Sequence, residues 1–114
     1  MKLAIIGSRT LAIQNISGYI PDNVTEIVSG GAKGIDTAAA EYAKQNGIKL
    51  TVFLPQYEKY HRAAPLIRNK QIADYADCAL ALWDGKSKGT IHTVKLFETQ
   101  SKPVTIIQIT TKTG

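Results

Sequence analysis

Three short turns hold the residues best suited to chemistry: Gly7-Ser8-Arg9, Ser29-Gly30-Gly31-Ala32-Lys33-Gly34-Ile35-Asp36, and Asp84-Gly85-Lys86-Ser87-Lys88-Gly89-Thr90. Each joins small residues, whose backbone amides a ligand can approach, to at least one cation. In the second turn Gly30, Gly31 and Gly34 precede a helical pattern. The first amides of that helix would point into the turn, with the positive end of the helix dipole behind them. A phosphate is stabilised at such a place without a specialised side chain, and Lys33 adds a full charge. The same glycines also suit a turn that needs them only for packing, and their spacing matches neither G-x-G-x-x-G nor the P-loop. The third turn repeats the composition: Ser87 and Thr90 offer hydroxyls, and Lys86 and Lys88 offer charge. Its alternative reading is a solvated lysine loop. Two such turns on one edge of a sheet support a phosphate ligand better than either does alone.

Other side chains add to this picture. Arg9 follows the first apolar run and can reach the same crevice. Arg68 and Asn69 sit between the apolar Ile67 and Ile72, where an arginine can hold a phosphate or carboxylate bidentately. Arg68 can equally be a solvated residue paired with Asp74 or Glu58. Asp36 in a first helical turn reads as a cap or as a partner for a ribose. His61 and His92 lie in separate segments, with no cysteine or carboxylate at ligand-like spacing, so no metal is expected. No G-x-S-x-G elbow or Ser/His/Asp set can be assembled. Trp83, Tyr57, Tyr60 and Tyr75 could stack on a base, although Trp83 also fits the end of a core strand.

The elements that would position these turns follow from the apolar pattern. Short runs rich in β-branched residues, each stopped by turn formers, predict strands over Leu3–Ile6, Thr25–Val28, Leu50–Leu54, Ala79–Trp83 and Val104–Ile109. Helical spacing predicts helices over Lys33–Asn46, Pro65–Tyr75 and Thr90–Thr99, with a weaker segment over Leu11–Ile20. On the second of these, Leu66, Ile67, Ile72, Ala73 and Ala76 share one side. Alternating strands and helices predict an α/β fold: a single Rossmann-like, three-layer domain. It has a mostly parallel five-stranded sheet with helices on both faces. The domain is expected over residues 1–110, with 111–114 a C-terminal tail. In such a sheet, ligands bind beyond the carboxyl ends of the strands, where the strand order reverses, and all three turns fall at strand ends.

Composition sets the frame. With 114 residues, 44% hydrophobic and 20% charged, the chain suits one globular domain rather than a disordered or fibrous one. A formal net charge of +5 favours anionic partners. The lone Cys78 cannot close an internal disulfide, which agrees with a reducing cytoplasm. The first apolar run is too short for a signal peptide, and no stretch approaches the roughly 20 residues of a membrane span. A cytoplasmic protein without a membrane partner is therefore expected.

The run Ser29-Gly30-Gly31-Ala32-Lys33-Gly34-Ile35-Asp36-Thr37-Ala38-Ala39 resembles the S-G-x-A-x-G-I-D signature of the DNA-processing protein A (Smf) family. Ile67-Arg68-Asn69-Lys70-Gln71-Ile72-Ala73 resembles that family's R-N-R-I-I-A segment. The pieces occur in the expected order from Gly7 to about Thr93, covering most of the chain. The combination points to the SLOG group, which joins these proteins to the LOG phosphoribohydrolases in a Rossmann-like fold. This chain is similar to its small single-domain members. The resemblance implies a nucleotide-derived ligand, and it places Lys33 where the DNA-processing proteins hold single-stranded DNA. It also sets Asp84 to Thr93 against the LOG motif P-G-G-x-G-T-x-x-E. Gly89 and Thr90 are kept there, but Thr93 replaces the glutamate that glycosidic cleavage needs.

The leading expectation is binding or sensing of a nucleotide or nucleotide-derived phosphate ligand, with no cofactor required. Gly7, Ser8, Arg9, Ser29 to Gly34, Asp36, Arg68, Asn69, Asp84, Gly85, Ser87, Gly89 and Thr90 would form its site. A hydrolase would need Asp36 or Asp84 as its carboxylate. A single-stranded DNA module would use Lys33, Arg62, Arg68, Lys70, Lys86 and Lys88. The resemblance also makes a homodimer plausible, and the small helix faces Ala38-Ala39 and Ala63-Ala64 could pack against the sheet or a partner.

Overall fold

A computed structural model of the chain describes residues 1–7, 16–31 and 35–109. The strands are β1 (Lys2–Gly7), β2 (Glu26–Ser29), β3 (Lys49–Val52), β4 (Cys78–Trp83) and β5 (Val104–Gln108). The helices are α1 (Ile35–Gln45), α2 (Tyr57–Tyr60), α3 (Ala64–Tyr75) and α4 (Lys88–Thr99). Single 3₁₀ turns cover Ser17–Tyr19 and His61–Ala63. Of the expected Leu11–Ile20 segment, residues 11–15 lie outside the described residues, as do 110–114. The one-turn helix α2 was not legible in the sequence, because four residues are too few to display a period.

All strand pairings are parallel, and the sheet order is β3-β2-β1-β4-β5. The chain winds outward from β1 through β2 to β3, then crosses back to β4 and continues to β5. This is a Rossmann-like α/β fold, and its order reverses between β1 and β4.

The pleat of the central strands explains the continuous apolar runs. Leu3 and Ile5 of β1, Ile27 of β2, and Leu80 and Leu82 of β4 enter one core with Ile35, Ala38, Ala39 and Ala43 of α1. Ala4, Ile6, Val28, Ala79 and Ala81 point the other way, against Ile72 and Ala73 of α3 and Val94 and Phe97 of α4. Strands covered on both faces have no polar side, so alternation vanishes. The Ala38-Ala39 face thus packs on the sheet. On the second face, Phe97 is fully buried among alanines and Val94. Its burial contributes about 1.5–3 kcal/mol. The outer strands β3 and β5 keep exposed positions, including Val52 and Ile106.

A buried carboxylate ties the amino ends of the sheet together. Thr51 Oγ1 and the Tyr75 hydroxyl donate to Glu26 Oε2 at 2.6 and 2.5 Å, and Lys49 Nζ lies 3.8 Å from Oε1. Burial of an unpartnered carboxylate would be costly. Here the Thr51 hydroxyl, followed by that of Tyr75, holds its pKa below the ordinary carboxylate range. The contact links β2, β3 and the last residue of α3.

Candidate functional site

Reversal of strand order leaves a gap beyond the carboxyl ends of β1 and β4, because the connections from the two strands leave in opposite directions. A cavity of about 490 Å³ occupies it, within the size range of small-ligand sites. Ile6 and Gly7 close its floor, and Gly30 and Asp36 form one side. α3 supplies Pro65, Leu66, Arg68, Asn69 and Ile72. The β4–α4 turn and the start of α4 supply Asp84, Lys86, Ser87, Gly89, Thr90 and Thr93.

The β4–α4 turn is built by its own side chains. Asp84 Oδ1 accepts the Lys86 and Ser87 amide N–H groups, each at 2.8 Å. Trp83 Nε1 donates to the Ser87 carbonyl at 3.0 Å. Ser87 caps α4: its Oγ accepts from the Thr90 amide at 3.4 Å and from the Thr90 hydroxyl at 3.1 Å. The turn therefore presents the positive end of a 12-residue helix, with two hydroxyls, to the cavity. Thr93 is buried one turn on, and its hydroxyl donates to the Gly89 carbonyl at 3.1 Å.

The facing wall is organised around Arg68. Its Nη1 donates to the Gly30 carbonyl at 2.7 Å, and its Nε donates to Asn69 Oδ1 at 3.0 Å. Asn69 is buried, and its Nδ2 lies 3.3 Å from His92 Nδ1 on α4. Because Asn69 Oδ1 accepts from Arg68, Nδ2 is the donor to His92, which sets Nδ1 of that ring as the acceptor. One chain of hydrogen bonds thus runs from the β2–α1 turn through α3 to α4. Of the two readings open for Arg68, the one that turns it to the cavity is seen, while Lys70 takes Asp74 at 2.9 Å, four residues along the same helix.

The two glycines of the β2–α1 turn do different work. A Cβ on Gly30 would stand 2.7 Å from Arg68 Nη1, so the missing side chain makes room for the guanidinium. Gly31 has φ +75°, which L-residues rarely adopt, and a Cβ there would collide with the Leu54 side chain. At the end of β1, a Cβ on Gly7 would lie 2.5 Å from Ile35, so this glycine lets α1 start close against the strand.

Of the residues expected at the site, Gly7, Gly30, Asp36, Arg68, Asn69, Asp84, Ser87, Gly89 and Thr90 are brought together around the cavity. Ser29, Gly31 and Gly85 are not in its lining. Ser29 is buried and its Oγ accepts from the Gly31 amide at 3.3 Å. Gly85 takes φ +85° beside the side-chain amide of Gln108. Ser8, Arg9, Ala32, Lys33 and Gly34 lie outside the described residues. Sequence reasoning missed the apolar part of the wall. Leu66, grouped with the buried side of its helix, is half exposed and faces the cavity beside Pro65. Its place two residues before Arg68 was the available signal. Among the described residues no cluster of three or more His, Cys, Asp or Glu could hold a metal ion, and no helix is long and apolar enough to cross a membrane.

Comparison with known proteins places this architecture. The sequence profile of the family described as YAcAr, the YspA, cpYpsA-related SLOG family, matches residues 2–60, from β1 through α2. The X-ray structure of DNA processing protein A (DprA) from Streptococcus pneumoniae superposes with a TM-score of 0.78 at 23% sequence identity. The match covers 96% of this chain and 51% of that one, so this chain spans about half the length of DprA. At that identity the likeness is one of fold. No curated protein matches the chain.

Proposed function

The chain belongs to the YspA, cpYpsA-related SLOG family, and on that premise we propose that it binds a nucleotide or nucleotide-derived ligand through its phosphate in the crevice between β1 and β4. The observation that carries this reading is the joint placement of the α4 start and Arg68 on opposite walls of one cavity. A phosphate seated over Ser87, Gly89 and Thr90 meets helix amides and two hydroxyls, with the Lys86 ammonium and the Arg68 guanidinium alongside. The base rests against Leu66, Pro65 and Ile72, and Asp36 is the acceptor for a ribose hydroxyl. Binding is favoured over cleavage by the state of the acid positions. Thr93 offers a hydroxyl that donates to its own helix, and Asp84 commits one oxygen to two backbone amides. Neither supplies the glutamate of the LOG motif, and Asp36 is assigned to the ribose rather than to the glycosidic bond.

The test is thermal unfolding of the protein against nucleoside mono-, di- and triphosphates, ADP-ribose and dinucleotides. A ligand at about 100 times its Kd stabilises the folded state by roughly 2.7 kcal/mol. For a domain of this size that is a rise of about 10 °C. Arg68→Ala should remove most of the rise. If no phosphate-bearing ligand shifts the transition, or if the shift survives Arg68→Ala, the proposal is wrong.

A further inference from the structure

A second cavity, about 520 Å³, opens on the outer side of α4 and meets the first at Lys86 and Ser87, which line both. Its remaining lining is Trp83, Lys88, Ile91, His92 and Lys95. Residues 88, 91, 92 and 95 follow helical spacing, so they form one face of α4. Lys88 and Lys95 are separated by about 10 Å along that axis, from a rise of roughly 1.5 Å per residue. The lining contains no carboxylate, and no ion pair ties Lys86, Lys88 or Lys95 to a described acid. Three ammonium groups thus face one groove uncompensated, which favours a ligand that carries negative charge. The groove also has an aromatic wall. Trp83 is half-buried, and its Nε1 bond to the Ser87 carbonyl pins the edge of the ring. A pinned ring beside cations is the pairing that receives a stacked base and its phosphate.

We propose that this groove is a second subsite of the ligand site described above, taking the second base and adjoining phosphate of a dinucleotide unit, that is, two nucleosides joined through phosphate. The inference rests on the nucleotide reading of the first cavity and extends it. The first nucleotide lies in the crevice. The linking phosphate crosses the shared lip at Lys86 and Ser87, the second base stacks on Trp83, and its outer phosphate lies by Lys88 and Lys95. His92 joins the subsites physically, since it lines the groove while its Nδ1 bonds to Asn69 of the crevice.

The unit can come from a free dinucleotide or from a single strand, and the experiment separates the two. Trp83 is the sole tryptophan, so its fluorescence reports on the groove directly. Titrations use AMP and TMP, the 5′-phosphorylated dinucleotides pApA and pTpT, and the matching dodecamers. The dinucleotides should bind at least tenfold tighter than the mononucleotides and quench Trp83, while the mononucleotides bind without quenching. Lys95→Ala, two turns along α4 from the crevice phosphate, should return the dinucleotides toward mononucleotide affinity and leave AMP and TMP unchanged. A dodecamer no tighter than the dinucleotide supports the free compound; one that gains further and weakens steeply with salt supports the strand. Mononucleotide binding with no gain for the dinucleotides and no quenching overturns this inference and leaves the crevice proposal standing. If neither class binds, this inference falls, and the crevice proposal falls with it only when the wider panel of phosphate-bearing ligands also fails.

Discussion

Gly30→Ala and Gly31→Ala make a paired test of how the site is built, because adjacent glycines serve different ends. At Gly31 the backbone is left-handed, and an L-residue there costs about 1–2 kcal/mol. The new Cβ would also overlap the Leu54 side chain, which is 60% exposed and can swing outward at modest further cost. Gly31→Ala should therefore destabilise by about 1–3 kcal/mol, lowering Tm by about 4–12 °C. Gly30 is not left-handed, so alanine carries no such strain. Its Cβ instead meets Arg68 Nη1 at 2.7 Å and Cζ at 3.2 Å, displacing the guanidinium from the Gly30 carbonyl. A hydrogen bond from a charged donor contributes about 1.5–3 kcal/mol when protected from water, and less at a half-buried site like this one. A stiffer unfolded chain returns about 0.4–1 kcal/mol. The net change for Gly30→Ala is within about 1 kcal/mol, or about 4 °C. Ligand binding should respond in the opposite order: Gly30→Ala loses at least tenfold in affinity, about 1.4 kcal/mol. The assay is thermal unfolding of both variants with and without the best nucleotide. If Gly30→Ala keeps the full ligand-induced shift, or if it is as destabilising as Gly31→Ala, the assignment of Gly30 as the space that seats Arg68 is refuted.

Glu26→Gln removes a charge that accepts from Thr51 and Tyr75, and it should lower Tm at pH 7 by about 4–12 °C, for a loss of about 1–3 kcal/mol. Since folding lowers the pKa of Glu26, its contribution is present above the ordinary carboxylate range and fades as pH falls through the lowered folded value. Unfolding curves from pH 7 to 3 should thus converge for the two proteins, and parallel curves would contradict the account. Ser87→Ala takes the cap from α4 and should cost about 1 kcal/mol, near 4 °C, by the same thermal assay. Ser87→Asp should restore that stability while weakening phosphate binding, because a second anion then occupies the helix start.

Much of the fold was legible because strands and helices write local periods into the chain. Leu3–Ile6 and Ala79–Trp83 read as buried strands from composition alone, and the structure extends them by only a residue or two, to Lys2–Gly7 and Cys78–Trp83. β3 was read one residue late at its start and two residues past its end, since Phe53 and Leu54 look like strand but Leu54 stands exposed above Gly31. At the site, the turns at Gly30 and Ser87 were visible as glycine, hydroxyl and charge at strand ends. The apolar wall at Leu66 was not, because a helical stripe does not say whether it meets core or cavity.

By itself, then, the sequence determined a Rossmann-like sheet with glycine turns at its carboxyl edge, because burial pattern and turn chemistry are properties of neighbouring residues. Which turns share a cavity depends on the order β3-β2-β1-β4-β5, and that order is a property of long-range pairing. The same holds for Arg68. Its neighbours in the chain offered Asp74 and Glu58, yet its partners include the Gly30 carbonyl, 38 residues away, and Asn69, whose own bond reaches His92 on α4. Only packing of α3 and α4 on the small residues Ala4, Ala79 and Ala81 brings those groups within hydrogen-bonding distance.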